Sequence, residues 1–456
     1  MTTGFRATAV PLPAAASVSA GWAVPRRYAW VVFALSFGLL LSDYMSRQVL
    51  NAVFPMLKDE WLLSDAELGS LSGIVALMVG LLAFPMSLMA DRWGRVKTLL
   101  SAATVWSLAT LGCAISGNYG QMFAGRVCVG IGEAAYGSVG IALVLSIFPY
   151  ALRATLSGAF IAGGAFGSVL GTSLGGIIAN HFGWRWAFGA MGFFGLGLAV
   201  VYGFVVTEKR LDPQRSPGFA PRAAPGLDGG DTKPRLRGLL ARLFSSASVV
   251  SAYIGSGLQM AIAGALIAWL PSYFNRYYDM STGKAGVVAG GIALIIGLGM
   301  IVGGIASDRI SQASPIRKWA VAMTCSAGSL VLLTTAFLLP VGPPQVLVLA
   351  AGALLSAGTA GPAAAMVANL TPASLSATAF ATLTLANSFL GLAPGPTVTG
   401  LLADHMGLRA AMRLIPLVAI AATAAFAIGR HHYERDLRRL GGFAEAGVPR
   451  ETESSS

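Results

Sequence analysis

Two acids and two arginines lie inside apolar stretches of this chain. Asp43 and Arg47 fall in FALSFGLLLSDYMSRQVLNAVF at 33–54, and Arg126 and Glu133 in FAGRVCVGIGEAAYGSVGIALVLSIF at 123–148. Either stretch can cross about 30 Å of hydrocarbon as a helix. A charge at mid-membrane costs roughly 2.5–3.5 kcal/mol on insertion scales, so four of them call for a function. In a helix, Asp43 and Arg47 share one face about 6 Å apart along the axis, and Arg126 and Glu133 share another about 10.5 Å apart. Such a set can neutralise itself in a bundle, or take up a proton and an anion in turn. Glu133 and Asp43 are the candidate proton carriers; Glu133 also reads as a paired acid that locks its helix. Arg47 is the best candidate for a carboxylate, because its planar fork suits planar anions. Arg126 fits solute contact and structural pairing equally.

Tyr44 and Tyr136 flank these charges and join the candidate substrate contacts. The later part of the chain has no central charge. Gln259, Trp269 and Asn387, with Tyr253 and Ser388, are its candidate pocket polars, although membrane residues of this type often only join helices. Cys113, Cys128 and Cys325 lack ligand spacing, so neither a disulfide framework nor a metal site is expected. No nucleotide loop, nucleophile constellation or cofactor motif is present, and an enzyme is not expected.

Composition places these charges in a membrane. The chain is 55% hydrophobic and 11% charged, with mean hydropathy +0.69; soluble proteins are nearer a quarter charged. The expected fold is an all-α polytopic membrane protein of twelve spans in two pseudo-symmetric six-helix units. Spans are expected near 29–52, 66–90, 98–116, 121–148, 154–180 and 185–207, then 245–274, 284–306, 318–339, 344–369, 376–402 and 408–430. Residues 1–25 read as a disordered tail, 26–207 as the first bundle, 208–243 as a linker, 244–432 as the second bundle and 433–456 as a second tail. PRLRGLLARLF at 234–244 reads as a short interfacial helix. Lys and Arg concentrate at 91–97, 208–242, 308–318 and after 430, whereas 55–67 is acidic. The positive-inside rule then puts both termini in the cytoplasm of a cell-membrane protein. The +12 net charge is spread over loops and tails, and reads as topology and lipid contact rather than nucleic-acid binding.

The two parts repeat. MADRWGR at 89–95 recurs as ASDRISQ at 306–312, RATLSGAF at 153–160 as SATAFATL at 376–383, and NHFGWRWA at 180–187 as DHMGLRAA at 404–411. The offsets are nearly constant, which indicates a duplicated unit with its solute site at the interface. MADRWGR, with Lys97 beyond, resembles the signature of the major facilitator superfamily, and Gly304–Arg309 is a weaker second copy. Arg126, Gly130, Gly132 and Glu133 are similar to the R-x-x-x-G-x-G-E-A pattern of spinster-type transporters and of related anion:cation symporters. Both groups carry N-Y-x-D-R in the first helix; here Ser46 stands in place of the acid, and Asp43 replaces the Asn one turn earlier.

The resemblance implies a monomeric secondary transporter working by alternating access. It points to a proton-coupled carrier of a small organic carboxylate, with a spinster-like exporter of lysolipid, lipid or amphipathic compounds as the alternative and a non-transporting receptor as a remoter one. It also implies gates: Asp91, Arg92 and Arg95 in one unit, Asp308 and Arg309 in the other. Arg153 is available to Asp308, whereas Ser376 stands opposite Asp91. Gly163, Gly167, Gly171 and Gly175 form a ridge that admits a close helix neighbour. It resembles an antiporter pattern, with Thr172 where that pattern has Pro. Pro394-Gly395-Pro396 is expected to interrupt helical bonding.

Overall fold

The computed structural model describes residues 24–149, 152–211, 246–312, 314–371 and 376–446. The expected interfacial helix and most of the expected linker and tails lie outside them. The chain is all-helical. The first part contains α1 (Arg26–Ala52), α2 (Phe54–Trp61), α3 (Asp65–Trp93), α4 (Arg95–Ala114), α5 (Tyr119–Glu133), α6 (Tyr136–Ile147), α7 (Arg153–Phe182), α8 (Trp184–Val205) and α9 (Glu208–Leu211). The second contains α10 (Ala247–Tyr277), α11 (Thr282–Ser311), α12 (Arg317–Leu338), α13 (Pro343–Ala357), α14 (Ala360–Asn369), α15 (Ser376–Asn387), α16 (Pro394–Met406), α17 (Leu408–Leu414) and α18 (Val418–Ala446). Among the described residues, ten helical segments are long and apolar enough to cross a membrane.

Local chemistry sets the helix ends. Ser64 accepts from the N–H of Glu67, and Glu67 returns a bond to the N–H of Ser64, closing a capping box at the start of α3. The side chains of Asn118, Ser246 and Ser281 accept the N–H three residues on and cap α5, α10 and α11, without the reciprocal bond. Gly183 and Gly407 are repeat-equivalent and have φ of 90° and 79°. Each turns the chain sharply between two helices in a conformation that glycine adopts without steric cost.

Among the described residues, four expected spans are interrupted: 344–369 at Gly358-Thr359 between α13 and α14, 408–430 at a 3₁₀ turn over Ile415–Leu417 between α17 and α18, and two others. Residues 121–148 divide into α5 and α6, but Ala134 and Ala135 keep right-handed backbone angles, so the span bends without leaving its course. Residues 376–402 divide at a π-turn over Ser388–Leu392. Pro394 has no N–H, and the N–H of Ala393 reaches back five residues to the carbonyl of Ser388. The interruption thus falls one turn before the expected prolines. The acidic stretch at 55–67 is not all loop either. Its first half forms α2, with Pro55 in the first turn and Phe54 packed against Trp269 at 5.2 Å between ring centroids.

The glycine ridge packs α7 against α1. A Cβ on Gly167 would lie 2.9 Å from the Leu41 carbonyl oxygen, and one on Gly171 would lie 2.7 Å from the Met45 Cα. The chain's two parts meet along two further seams. In one, α3 lies on α16, with Gly69 and Gly73 under the carbonyls of Pro396 and Ala393. In the other, α7 lies on α11, with Gly286 under the Thr172 carbonyl. The largest apolar cluster joins both parts through Phe54, Leu266, Trp269 and Tyr273, at the end of the bundle that carries Leu62. Toward the opposite end, which carries Trp93, each part has its own separate cluster.

Gly171→Ala is expected to overpack the α1–α7 contact at a cost of about 1–3 kcal/mol. Its melting temperature in detergent should fall. Gly197→Ala, which meets nothing within 4 Å, should not lower it. Equal melting temperatures for the two variants would refute the close packing.

Candidate functional site

A cavity of about 370 Å³ lies between the two parts at mid-depth. Its polar side comes from one face of α1, where Tyr44, Arg47, Gln48 and Asn51 line it. Asn51 donates to the Gln48 carbonyl at 2.7 Å, which holds both amides in one orientation. The second part supplies an almost wholly apolar wall that includes Met260, Ala263, Ile267, Ile296 and Met300. The cavity therefore has one cationic pole and an extended apolar surface facing it.

Arg47 reaches from the cavity to the charges behind it. Its Nη1 lies 3.8 Å from Glu133 Oε2, an ion pair too long for a strong hydrogen bond. The Arg47 side chain is 20% accessible and the Glu133 side chain 3%. Asp43 is buried on the same helix. One oxygen of each carboxylate, Asp43 Oδ1 and Glu133 Oε1, has no hydrogen-bond partner among the described residues. The structure thus brings Glu133 of α5 to Arg47, which lines the cavity, with Asp43 one turn before Arg47 on α1.

Arg126 is placed differently. It is fully buried and donates to the carbonyls of Leu71 at 3.2 Å, Ser46 at 3.1 Å and Arg47 at 3.1 Å. All its nitrogens are committed to tying α5 to α1 and α3, and these partners are backbone carbonyls rather than the acid that structural pairing implied. Tyr136 is also fully buried. Its hydroxyl donates to the Ser36 carbonyl and its ring meets Trp106 edge-on. Neither residue lines the cavity. Tyr44 does, and its ring fills the space over Gly164 while its Cβ lies over Gly167.

The second part's candidate polars hold its own helices together. Gln259 donates to Ser326, Trp269 donates to the Pro396 carbonyl at 2.9 Å, and Asn387 accepts from Ser256 at 2.8 Å. None of the three lines the cavity. Of the candidate gate residues, Arg92, Asp308 and Arg309 are exposed at the Trp93 end, and Arg95 donates to the Ala142 carbonyl at 3.3 Å. The side chains of Asp91 and Arg153 lie outside the described part of the structure.

A charge network at the Leu62 end had no place among the sequence candidates. Asp65 takes two bonds from Arg276, at 2.9 and 2.7 Å, and one from Lys58 at 2.6 Å. Asp404 accepts the N–H groups of Asp65 and Ala66 at 2.7 and 2.9 Å, so an acid of the second part caps a helix of the first. The capping-box sequence at 64–67 and the repeated DHMG motif were the available signals. Their pairing across 339 residues was not readable from either. Asp65→Asn is expected to leave Arg276 and Lys58 without their carboxylate and to favour opening at this end by tenfold or more, about 1.4 kcal/mol. Spin labels at Leu62 and Met406 should report a larger long-distance population; an unchanged distribution would refute the latch.

The description Major Facilitator Superfamily matches residues 35–343, more than half of the chain. Among curated proteins, the chain is 29% identical over 280 residues to a probable sphingolipid transporter, spinster homolog 1, of Arabidopsis thaliana. That match covers 56% of this chain and 55% of the relative, so the chain spans about half of that protein's length. It is 25% identical over 297 residues to a hexuronate transporter of Bacillus subtilis, covering 64% of this chain and 68% of that protein. Among solved structures, a bacterial homolog of the human lysosomal transporter spinster, inward-facing and unoccupied, superposes with a TM-score of 0.78. That likeness has 19% identity and covers 90% of this chain and 99% of the other, and it shows the fold. Together with the polytopic helical architecture, these matches place the chain in the Major Facilitator Superfamily of membrane transporters.

Proposed function

We propose that this transporter moves an amphipathic organic anion by alternating access and exports it from the cytoplasm. The observation that carries the reading is the cavity, with its single cationic pole on α1 and its apolar wall from the second part. The headgroup would meet Arg47, flanked by Tyr44, Gln48 and Asn51, and the apolar portion would lie along Met260, Ile267 and Ile296. The spinster likeness supports this reading over the small carboxylate expected from the charges. A sugar acid carries several hydroxyls, and each one left unpaired against the apolar wall would cost about 1–3 kcal/mol. The hexuronate-transporter likeness and the Arg47 fork at the cavity wall favour the carboxylate as the second reading.

The rest of the scheme follows from the same placement. Twelve crossings would comprise the ten long apolar segments and the two further ones at 119–147 and 376–406. The bundles 26–207 and 244–432 would be the two moving bodies of a monomer, with both termini cytoplasmic in a cell or inner membrane. The Leu62 end would then face outward and is the end held shut. A proton would exchange at Glu133, with Asp43 as its neighbour, and Asp91 and Asp308 would gate the cytoplasmic end. Proteoliposomes test the solute. Gradient-driven movement of a lysophospholipid that a hexuronate does not inhibit is the expected result. Hexuronate transport without lysophospholipid transport would replace this reading with the second.

A further inference from the structure

The two seams between the parts of the chain end, at the Leu62 end, in repeat-equivalent sequence. Ser64-Asp65-Ala66-Glu67 opens α3, and Ser281-Thr282-Gly283-Lys284 opens α11 at the same offset that relates Asp91 to Asp308. The helix ends that face them are Asp404-His405-Met406-Gly407 and Asn180-His181-Phe182-Gly183. On the first seam the protein supplies its own anion. Asp404 holds the N–H groups of Asp65 and Ala66, and Glu67 completes the capping box.

The second seam has lost both acids. Asn180 stands in the place of Asp404 and Lys284 in the place of Glu67. Among the described residues the Asn180 side chain makes no hydrogen bond, although its Cβ lies 3.7 Å from the point a Gly283 Cβ would take. A groove of about 550 Å³ opens there. Its mouth carries Asn180, His181, Ser281 and Lys284, and its wall carries Ile177, Val287 and Val288. Ile177 is 38% and Val287 48% exposed, on helices long and apolar enough to span a membrane. Where one seam has a carboxylate, the other has an open cationic mouth above an exposed apolar wall.

We propose that an anionic phospholipid of the surrounding leaflet occupies this groove. Its phosphate would take the place that the Asp404 carboxylate holds on the other seam, accepting from Lys284 and the Asn180 amide. One acyl chain would lie along Ile177, Val287 and Val288. Charge complementarity selects an anion, and the apolar wall selects a lipid over a free phosphate, which would leave that wall uncovered. The bound lipid would bridge α7 and α11 and complete the closure that Asp65 and Asp404 make alone on the first seam. This consequence rests on the reading that the Leu62 end opens and closes; the binding itself does not.

The test uses the full-length protein in nanodiscs of phosphatidylcholine doped with a photoactivatable phosphatidylglycerol. Crosslinks should map to 177–182 and 280–288, should fall several-fold in Lys284→Glu, and should resist excess inorganic phosphate. Asn180→Asp restores the missing carboxylate and should also displace the lipid, while crosslinking at the basic Trp93 end stays constant. Absence of crosslinks in these segments, unchanged crosslinks in both variants, or full competition by free phosphate would overturn the proposal. Transport is not part of the readout, so failure here is separable from failure of the proposed solute.

Discussion

Glu133→Gln is expected to leave solute exchange intact and to abolish accumulation against a gradient. Glu133 stands 3.8 Å from Arg47, the one charged side chain among the described residues that line the cavity. An arginine held by its acid is less available to a solute anion, and an arginine freed from it is more so. Protonation of Glu133 would free Arg47 and solute release would recapture it, which couples the two events. Glutamine fixes the neutral form. It should bind solute and carry it both ways, so labelled and unlabelled solute still exchange. The empty carrier could not complete a proton-linked return, and net gradient-driven movement should fall to the level of protein-free liposomes. Asp43 lies four residues before Arg47 and is buried like Glu133, so in this scheme the two acids would exchange the proton as a set rather than singly. Asp43→Asn should therefore give a milder defect if Asp43 only tunes the pair, and the full defect if it carries the proton. The coupling role fails if Glu133→Gln concentrates solute under a proton gradient as well as the unmodified protein does.

The parts of this reading that came from sequence are those fixed by local chemistry or repetition. Hydropathy located ten of the expected spans, most of them to within a few residues, because apolar length is what a bilayer requires. Spacing on one helix placed Asp43 with Arg47, and the glycine ridge announced a close helix neighbour for α7, which the structure shows to be α1. Pairings between distant segments were less legible. Arg126 looked equally suited to solute or structure because its three carbonyl partners, Leu71, Ser46 and Arg47, are backbone groups that leave no mark in a sequence. Gln259, Trp269 and Asn387 looked like pocket residues because a polar side chain in a span reads the same whether it faces a cavity or a neighbouring helix. The Asp65–Arg276–Asp404 network required three segments to meet, and only the closed geometry at the Leu62 end brings them together. The cavity's apolar character had the same origin: no single residue signals it, and it shifted the proposed solute from a small acid to an amphiphile.

Arg126→Met should unfold the first part of the chain sooner than it weakens solute binding. Methionine keeps much of the volume and removes three charge-assisted bonds that join α5 to α1 and α3. Hydrogen bonds to a charged group contribute about 1.5–3 kcal/mol each. The loss would also leave Asp43 and Glu133 facing Arg47 alone, and removing one member of a buried charge set costs about 3–5 kcal/mol. Arg126→Lys should recover little, since a compact ammonium cannot reach three carbonyls that a planar fork spans. The discriminating measurement is a cycle with Glu133→Gln. If Arg126 balances the buried acids, the double variant should melt at a higher temperature than Arg126→Met alone, because one uncompensated charge has been removed with its partner. If Arg126 is a solute contact, Arg126→Met should instead melt like the unmodified protein and fail to bind solute, and the second substitution should not raise its melting temperature. The complete burial of Arg126 and its three bonds to backbone favour the first outcome.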